Sequence, residues 1–266
     1  MFRITAAAAI CSGLMVAGGT AAAAKLPDIN IAPYFAGIDG CFVLTDSQGN
    51  VLINYNPERA AKRLPPCSTF KIFNALAALD AGVADGPEFA IPWDKKQHEI
   101  EAWNHDHTLA SAISASAVWY FQELATRIGD KKMQEYLDRI GYGNRDMSGG
   151  LTTFWLGSSL EISAMEQLTF LQNLYNGKLA VSPKAMDAVQ KMLVLESGEG
   201  FEWSGKTGTN TAKEASVLGW FVGSVKQGDT RYFTALNFSA SDGATGARAK
   251  DLTKHLLQKL GLLSVK

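Results

Sequence analysis

The sequence predicts an α+β fold: an antiparallel five-stranded sheet built from both chain ends, flanked by terminal helices, with an all-helical region inserted. Three observations predict it. Two strand-like runs lie early, at 41–46 and 51–55, separated by turn residues. Three more lie late, at 202–207, 217–225 and 232–238. Between them the apolar residues recur at helical spacing. With 266 residues, 47% of them hydrophobic, the chain can bury one large core or two interleaved ones. The sheet part is expected at about 25–60 and 200–266 and the helical part at about 61–199, within one domain over 25–266. A cleft is expected at the seam between the two layers.

Residues 1–24 read as a signal peptide. Arg3 gives a positive start, an apolar run follows from Ala6 to Val16, and Ala22-Ala23-Ala24 offers a cleavage site. The run is too short to span a bilayer. Without Arg3 the chain carries 24 basic and 26 acidic residues, a charge of −2. No later stretch is long and apolar enough for a span, so the expected product is secreted to the periplasm, as a monomer or homodimer. The absence of a basic stripe argues against nucleic acid. In an oxidising compartment Cys41 and Cys67 suggest a disulfide, which would contribute roughly 3 kcal/mol.

The hairpin 41–55 turns at Ser47-Gln48-Gly49-Asn50. Pro65-Pro66 then disfavours helix, so the next helix is expected to begin at Cys67 or Ser68 and to stop at Gly82. Residues 83–107 are loop-rich. One helix is read from Thr108 to Ile128, through Leu109, Ala112, Ala117, Phe121 and Leu124, and another over Asp130–Ile140. A Gly-rich loop over 142–160 follows. Ser163-Ala164-Met165-Glu166 has the form of a capping box, and Ser182-Pro183 starts a further helix with Pro at its first position. The last helix is read over Ala247–Leu260.

Three short motifs carry hydroxyls and amines. In Ser68-Thr69-Phe70-Lys71 the two polar residues are three apart, so they share a helix face. A hydroxyl beside a basic group at a helix start is an activatable nucleophile. Ser116-Ala117-Val118 places a hydroxyl within the middle helix, and Lys206-Thr207-Gly208-Thr209 ends a late strand where glycine permits close approach. Each alone has a plainer reading, as an N-cap, a serine bonded to its own helix, or a turn with a solvated lysine. His98, His105, Asp106 and His107 lack zinc-type spacing and read as loop residues; no metal is expected.

Taken together and in order, with Tyr142-Gly143-Asn144 and Phe154-Trp155-Leu156-Gly157, the motifs resemble those of class D (oxacillinase-type) serine β-lactamases of the penicillin-recognising superfamily. The resemblance runs from Cys41 to the C-terminus. It implies a β-lactam substrate attacked by Ser68, with backbone N–H groups of Ser68 and Thr209 as oxyanion hole. Among apolar neighbours, Phe70, Val118, Trp155 and Leu156, the Lys71 amine is expected to lose its charge. The family pattern then implies an N-carboxylated Lys71, held by the Trp155 indole, as general base for acylation and deacylation. Carbon dioxide or bicarbonate is needed for that modification, and no other cofactor is implied. Ser116 would relay a proton to the leaving nitrogen under the influence of Lys206. Thr207 and Arg248 would receive the substrate carboxylate, Arg231 being the rival, and Gly208 would let the substrate reach the strand. Tyr142 and Asn144 are expected to support the cleft wall. Segments 94–107 and 209–216 are expected to line the cleft. Glu166 does not suit the loop-glutamate role of the Ser-Asp-Asn branch. Two other functions remain: a β-lactam sensor that holds the acyl group, which needs a membrane anchor and signalling region, and a cell-wall peptidase.

Overall fold

Alternation along the strands sorts side chains into two cores. On the first strand, Cys41 and Val43 face one side while Phe42 and Leu44 face the other. The computed structural model describes residues 26–212 and 215–264; the signal segment read at 1–24 lies outside the described residues.

In chain order the elements are β1 (Asp39–Thr45), β2 (Val51–Tyr55), α1 (Pro57–Ala61), α2 (Lys71–Asp80), β3 (Ala90–Ile91), β4 (His107–Thr108), α3 (Leu109–Ala115), α4 (Val118–Ile128), α5 (Asp130–Ile140), α6 (Ala164–Tyr175), α7 (Pro183–Met192), β5 (Val194–Gly198), β6 (Phe201–Ala212), β7 (Ala215–Gln227), β8 (Thr230–Ser239) and α8 (Gly246–Lys259). The main sheet runs β2-β1-β8-β7-β6-β5, antiparallel throughout. Both chain ends build it, as expected, but it has six strands and not five. The extra one, β5, is a short edge strand of sequence Val-Leu-Glu-Ser-Gly directly after α7, with too little alternation to be seen. A separate ribbon pairs β3 with β4.

The 3₁₀ turn Ala32–Phe35 and α8 cover one face, burying Phe35, Leu256 and Leu257 against Phe42, Phe221 and Leu236. The helical region covers the other, where α2 buries Ile72, Phe73 and Leu76 against α4 and α7. The Ser163–Glu166 capping box forms: Glu166 N–H donates to Ser163 Oγ (3.2 Å), and Ser163 N–H to Glu166 Oε2 (2.9 Å). Among the described residues no helix is long and apolar enough to cross a membrane.

The expected disulfide is absent. Cys41 and Cys67 are free, buried thiols. A row across the sheet joins Cys41 to Asn237, Asn237 to Trp220, and Trp220 to Gly208. The turn carrying Cys67 packs on the Trp220 and Gly208 end of that row. At about 4.8 Å per strand, two to three strands separate the thiols, roughly 10–14 Å, which a disulfide cannot bridge. Burial raises both thiols, Cys41 to about 11 and Cys67 to about 12.

Candidate active site

The site begins where β6 meets the turn that leads into α2. Residues Cys67–Phe70 form a 3₁₀ turn, and α2 proper starts only at Lys71. Pro65 and Pro66 fix the approach. The Thr69 N–H and hydroxyl both donate to Pro66 O (3.1 and 2.7 Å), and Trp220 Nε1 donates to Pro65 O (3.0 Å). Cys67 takes φ +50°, a left-handed conformation that costs a non-glycine residue about 1–2 kcal/mol. Gly208 permits the contact between strand and turn: a Cβ there would lie 2.8 Å from Pro66 O.

Lys71 is fully buried, with Nζ 2.6 Å from Ser68 Oγ and 5.7 Å from the Phe121 ring centre. Burial lowers its pKa well below the ordinary lysine value, and the Lys206 charge adds to this. A neutral amine at that distance can accept the Ser68 proton. Behind it, the Phe70 ring stacks on Trp155 at 5.3 Å and meets Tyr142 and Phe154 edge-on. Among the described residues the Trp155 Nε1 donor is buried without a partner. Indole N–H groups are normally paired when buried, so this one has room for an acceptor.

The middle helix read over 108–128 is in fact two. It breaks at Ser116, which closes α3 in a left-handed conformation (φ +57°) before α4 starts at Val118. No glycine or proline marks the break. The break turns Ser116 Oγ to Lys206, whose Nζ donates to it at 3.0 Å. Lys206 is 6% exposed, and burial, with help from the Lys250 charge, lowers its pKa to about 7. Its ammonium is thus readily exchanged near neutral pH, next to a hydroxyl.

A cavity of about 460 Å³ opens over these groups. Ser68, Ser116, Val118, Leu156, Thr207, Gly208 and Thr209 line it. So do Ile100 and Trp103, and Asn210 and Thr211, which the sequence located only by segment. Trp103 is held by donation of its Nε1 to Ala115 O (2.9 Å), a contact no motif signals. Gly205 N–H donates outward to Leu193 O, so strand alternation puts the Thr209 N–H on the same open edge of β6, toward the cavity. Arg248 is not on the cavity wall. It lies exposed in the first turn of α8, its guanidinium 5.0 Å from the Phe238 ring centre. Arg231 is tied to Ser224 Oγ (2.7 Å) and Glu202 (2.9 Å), away from the site. Tyr142 is buried and donates to Gln167 Oε1 (3.4 Å), while Asn144 Nδ2 donates to Ser159 O (2.8 Å). Both brace the wall carrying Trp155. His107 contacts Ser111 Oγ and Ala102 O, and among the described residues no cluster suited to a metal ion occurs.

The family model of the penicillin-binding protein transpeptidase domain matches residues 40–258. The chain belongs to that family and, within it, to the class D serine β-lactamase branch. The probable β-lactamase YbxI of Bacillus subtilis is 40% identical over 236 residues, covering 89% of this chain and 86% of that protein. A crystal structure of a class D β-lactamase from Bacillus subtilis superposes with a TM-score of 0.84 at 39% identity, over 90% of this chain and 98% of that one. The C-terminal domain of the Bacillus licheniformis BlaR penicillin-receptor superposes nearly as well, with a TM-score of 0.83 at 33% identity over 88% and 96%.

Proposed function

We propose that this protein hydrolyses β-lactam antibiotics through an acyl-enzyme on Ser68. The observation that carries the reading is the fully buried Lys71, its pKa held well below the ordinary lysine value by burial, 2.6 Å from the Ser68 hydroxyl at the edge of the cavity. Ser68 Oγ attacks the lactam carbonyl as its proton leaves toward the Lys71 side. The Ser68 and Thr209 backbone N–H groups receive the developing oxyanion; losing one such donor typically costs ~3 kcal/mol. The C–N bond of the ring breaks and its nitrogen takes a proton from Ser116, which Lys206 resupplies. The proton on the Lys71 side passes back to Lys206; water then attacks the ester, giving a proton to the Lys71 side that goes on to Ser68 Oγ as the ring-opened acid is released. Val118 and Leu156 pack against the substrate, Thr207 and Gly208 bind its strand-facing edge, and Arg248, just outside the cavity wall at the start of α8, swings in to meet its carboxylate.

The buried residues fit a carboxylated Lys71. Burial favours the neutral amine that can take up carbon dioxide, and the Trp155 N–H stands without an acceptor. Carbon dioxide held there would supply a carbamate oxygen as base for acylation and deacylation. Activity should fall on acidification in carbon dioxide-free buffer and return with bicarbonate. Full turnover without any bicarbonate response would sink this part of the reading.

The second reading is a β-lactam sensor, favoured by the likeness to the BlaR receptor domain. Excess chromogenic cephalosporin separates the two: sustained turnover supports the hydrolase, and a single stoichiometric burst supports the sensor. The segment 1–24 further suggests export to the periplasm, so the N-terminus of the mature protein should be Lys25.

A further inference from the structure

A buried polar side chain outside every motif reaches the turn that carries Ser68. Gln167, in the first turn of α6, is fully buried, and so are its two partners, Thr69 and Tyr142. Its Nε2 lies 2.8 Å from Thr69 Oγ1, and its Oε1 3.4 Å from the Tyr142 hydroxyl. Donor counting fixes the direction of each bond. Pro66 O, 2.7 Å from Thr69 Oγ1, can only accept, so it takes the single hydroxyl proton of Thr69. The group that meets Thr69 from the other side must donate. That is the Gln167 amide N–H, and the Gln167 oxygen then accepts from Tyr142. One chain of hydrogen bonds therefore runs from Tyr142 through Gln167 and Thr69 to Pro66, all in the same direction. It ends two residues before the nucleophile. Pro66 O also accepts the Thr69 N–H (3.1 Å), while Pro65 O takes the Trp220 indole from the sheet side (3.0 Å). The start of α6 is tied to the same approach: Leu64 and Ile162 exchange backbone bonds (3.0 and 2.9 Å), and Arg63 donates to Glu166 (3.0 Å). Between these clamps Cys67 takes its left-handed conformation directly before Ser68. An apolar side chain would fill the Gln167 site without the cost of desolvating an amide, so its bonds are what the amide contributes there.

Taking Ser68 as the acylated residue, as above, we propose that Gln167 is a positioning residue for acylation: through Thr69 and Pro66 it fixes the turn that presents the Ser68 hydroxyl and oxyanion N–H. Gln167 touches no reacting atom and does not line the substrate cavity. Without its donor the Thr69 hydroxyl is free to turn from Pro66 O, and the turn loosens beside the strained Cys67. A misplacement of about 1 Å at the reacting atoms costs ~100-fold in rate, and the walls that bind substrate stay where they are.

The test is stopped-flow acylation of the full chain by a fluorescent penicillin, read as a limiting rate and a half-saturating concentration between about pH 5 and pH 8. Gln167→Leu should lower the limiting rate by ~10–100-fold and change half-saturation by less than about twofold, with a rate relative to wild type that does not vary with pH. Gln167→Glu gives a readout that packing alone does not move. Ionised, its carboxylate cannot donate, so the Thr69 proton turns to it and leaves Pro66 O. Protonated, its O–H donates to Thr69 as the amide does. Burial raises such a carboxyl toward the neutral range. Its rate relative to wild type should therefore match that of Gln167→Leu near pH 8 and climb toward wild type as pH falls. The titratable groups around the site hold one state over that range: Glu166, kept ionised despite partial burial by bonds from Arg63 and Ser163, and Tyr142 and Cys67, both pushed up by burial. The ratio to wild type cancels the titration of Lys71 itself, and the uncharged leucine separates a lost donor from an added charge. Gln167→Leu acylating at the wild-type limit, or Gln167→Glu staying slow at every pH, would overturn the proposal. If the leucine variant does not fold, the glutamate variant decides alone, as one protein in two protonation states. Wild type that forms no adduct at all would instead overturn the Ser68 reading, and this role with it.

Discussion

Replacing Lys71 with Met should abolish activity and stabilise the protein, with a gain that depends on pH through a single proton. Lys71 is fully buried and its pKa is held well below the ordinary value, chiefly by burial. In the unfolded chain it returns to about 10.4. Between those two values the unfolded state holds a proton that the folded state lacks. Wild-type stability therefore rises with pH there, by ~1.4 kcal/mol per unit. Methionine has similar volume and no such proton. The variant's advantage should be largest at the low end of the window and close by ~1.4 kcal/mol per unit as pH rises toward 10.4. Other groups titrate in both proteins and cancel in the difference; Lys206, whose charge acts on Lys71, has its pKa lowered to about 7 and so contributes little to the difference above pH 8. Urea unfolding followed by tryptophan fluorescence, in carbon dioxide-free buffers near pH 8 and pH 9.5, should give a difference that shrinks by about 2 kcal/mol. The corresponding change in relative Tm is ~4–8 °C for a chain of this size. A difference that stays constant across the window would refute the idea that Lys71 is neutral in the folded protein.

The remaining predictions concern the walls of the site. Gly208→Val should lower kcat/KM by roughly 100-fold and stability by ~1–3 kcal/mol, because its Cβ meets backbone atoms of Pro66 and Thr69 that cannot yield independently of Ser68. Steady-state kinetics and unfolding together check this. Arg248→Ala should raise KM by ~10–100-fold, far more than it lowers acylation at saturation, as loss of a charged hydrogen bond to the substrate carboxylate requires; an unchanged KM argues against that role. Reducing agent should change neither Tm nor turnover, since Cys41 and Cys67 are free thiols; a drop in Tm would contradict the observed separation.

Much of this architecture was readable because local chemistry and tertiary structure agree. Asp130–Ile140 and the Ser163 and Ser182 helix starts carry their own caps or breakers, and the structure ends them where the sequence does. The hairpins around Gly49 and Gly228 were equally plain, each with glycine at positive φ. The misses share a physical cause: they are set by distant partners. The Ser116 break has no local breaker, yet it is what brings that hydroxyl to Lys206, 90 residues away. Strand β5 is defined by pairing with β6 and not by its own pattern. The cysteine pair looked plausible from the compartment alone, and only the strand order reveals how far apart the thiols sit. Trp103 was placed in a lining segment but not singled out, because its position depends on a bond to Ala115 O across a loop. The Ser68–Lys71 pair was legible from spacing, whereas the completeness of Lys71 burial and the orphaned Trp155 N–H were not.

The most direct test is time-resolved intact-protein mass spectrometry after mixing with excess β-lactam. An adduct of one antibiotic mass should appear within the burst, map to the peptide containing Ser68 after digestion, vanish as substrate is exhausted, and be absent from Ser68→Ala. An adduct that forms on Ser68 and persists after free drug is gone, or product formation that survives Ser68→Ala, would contradict it.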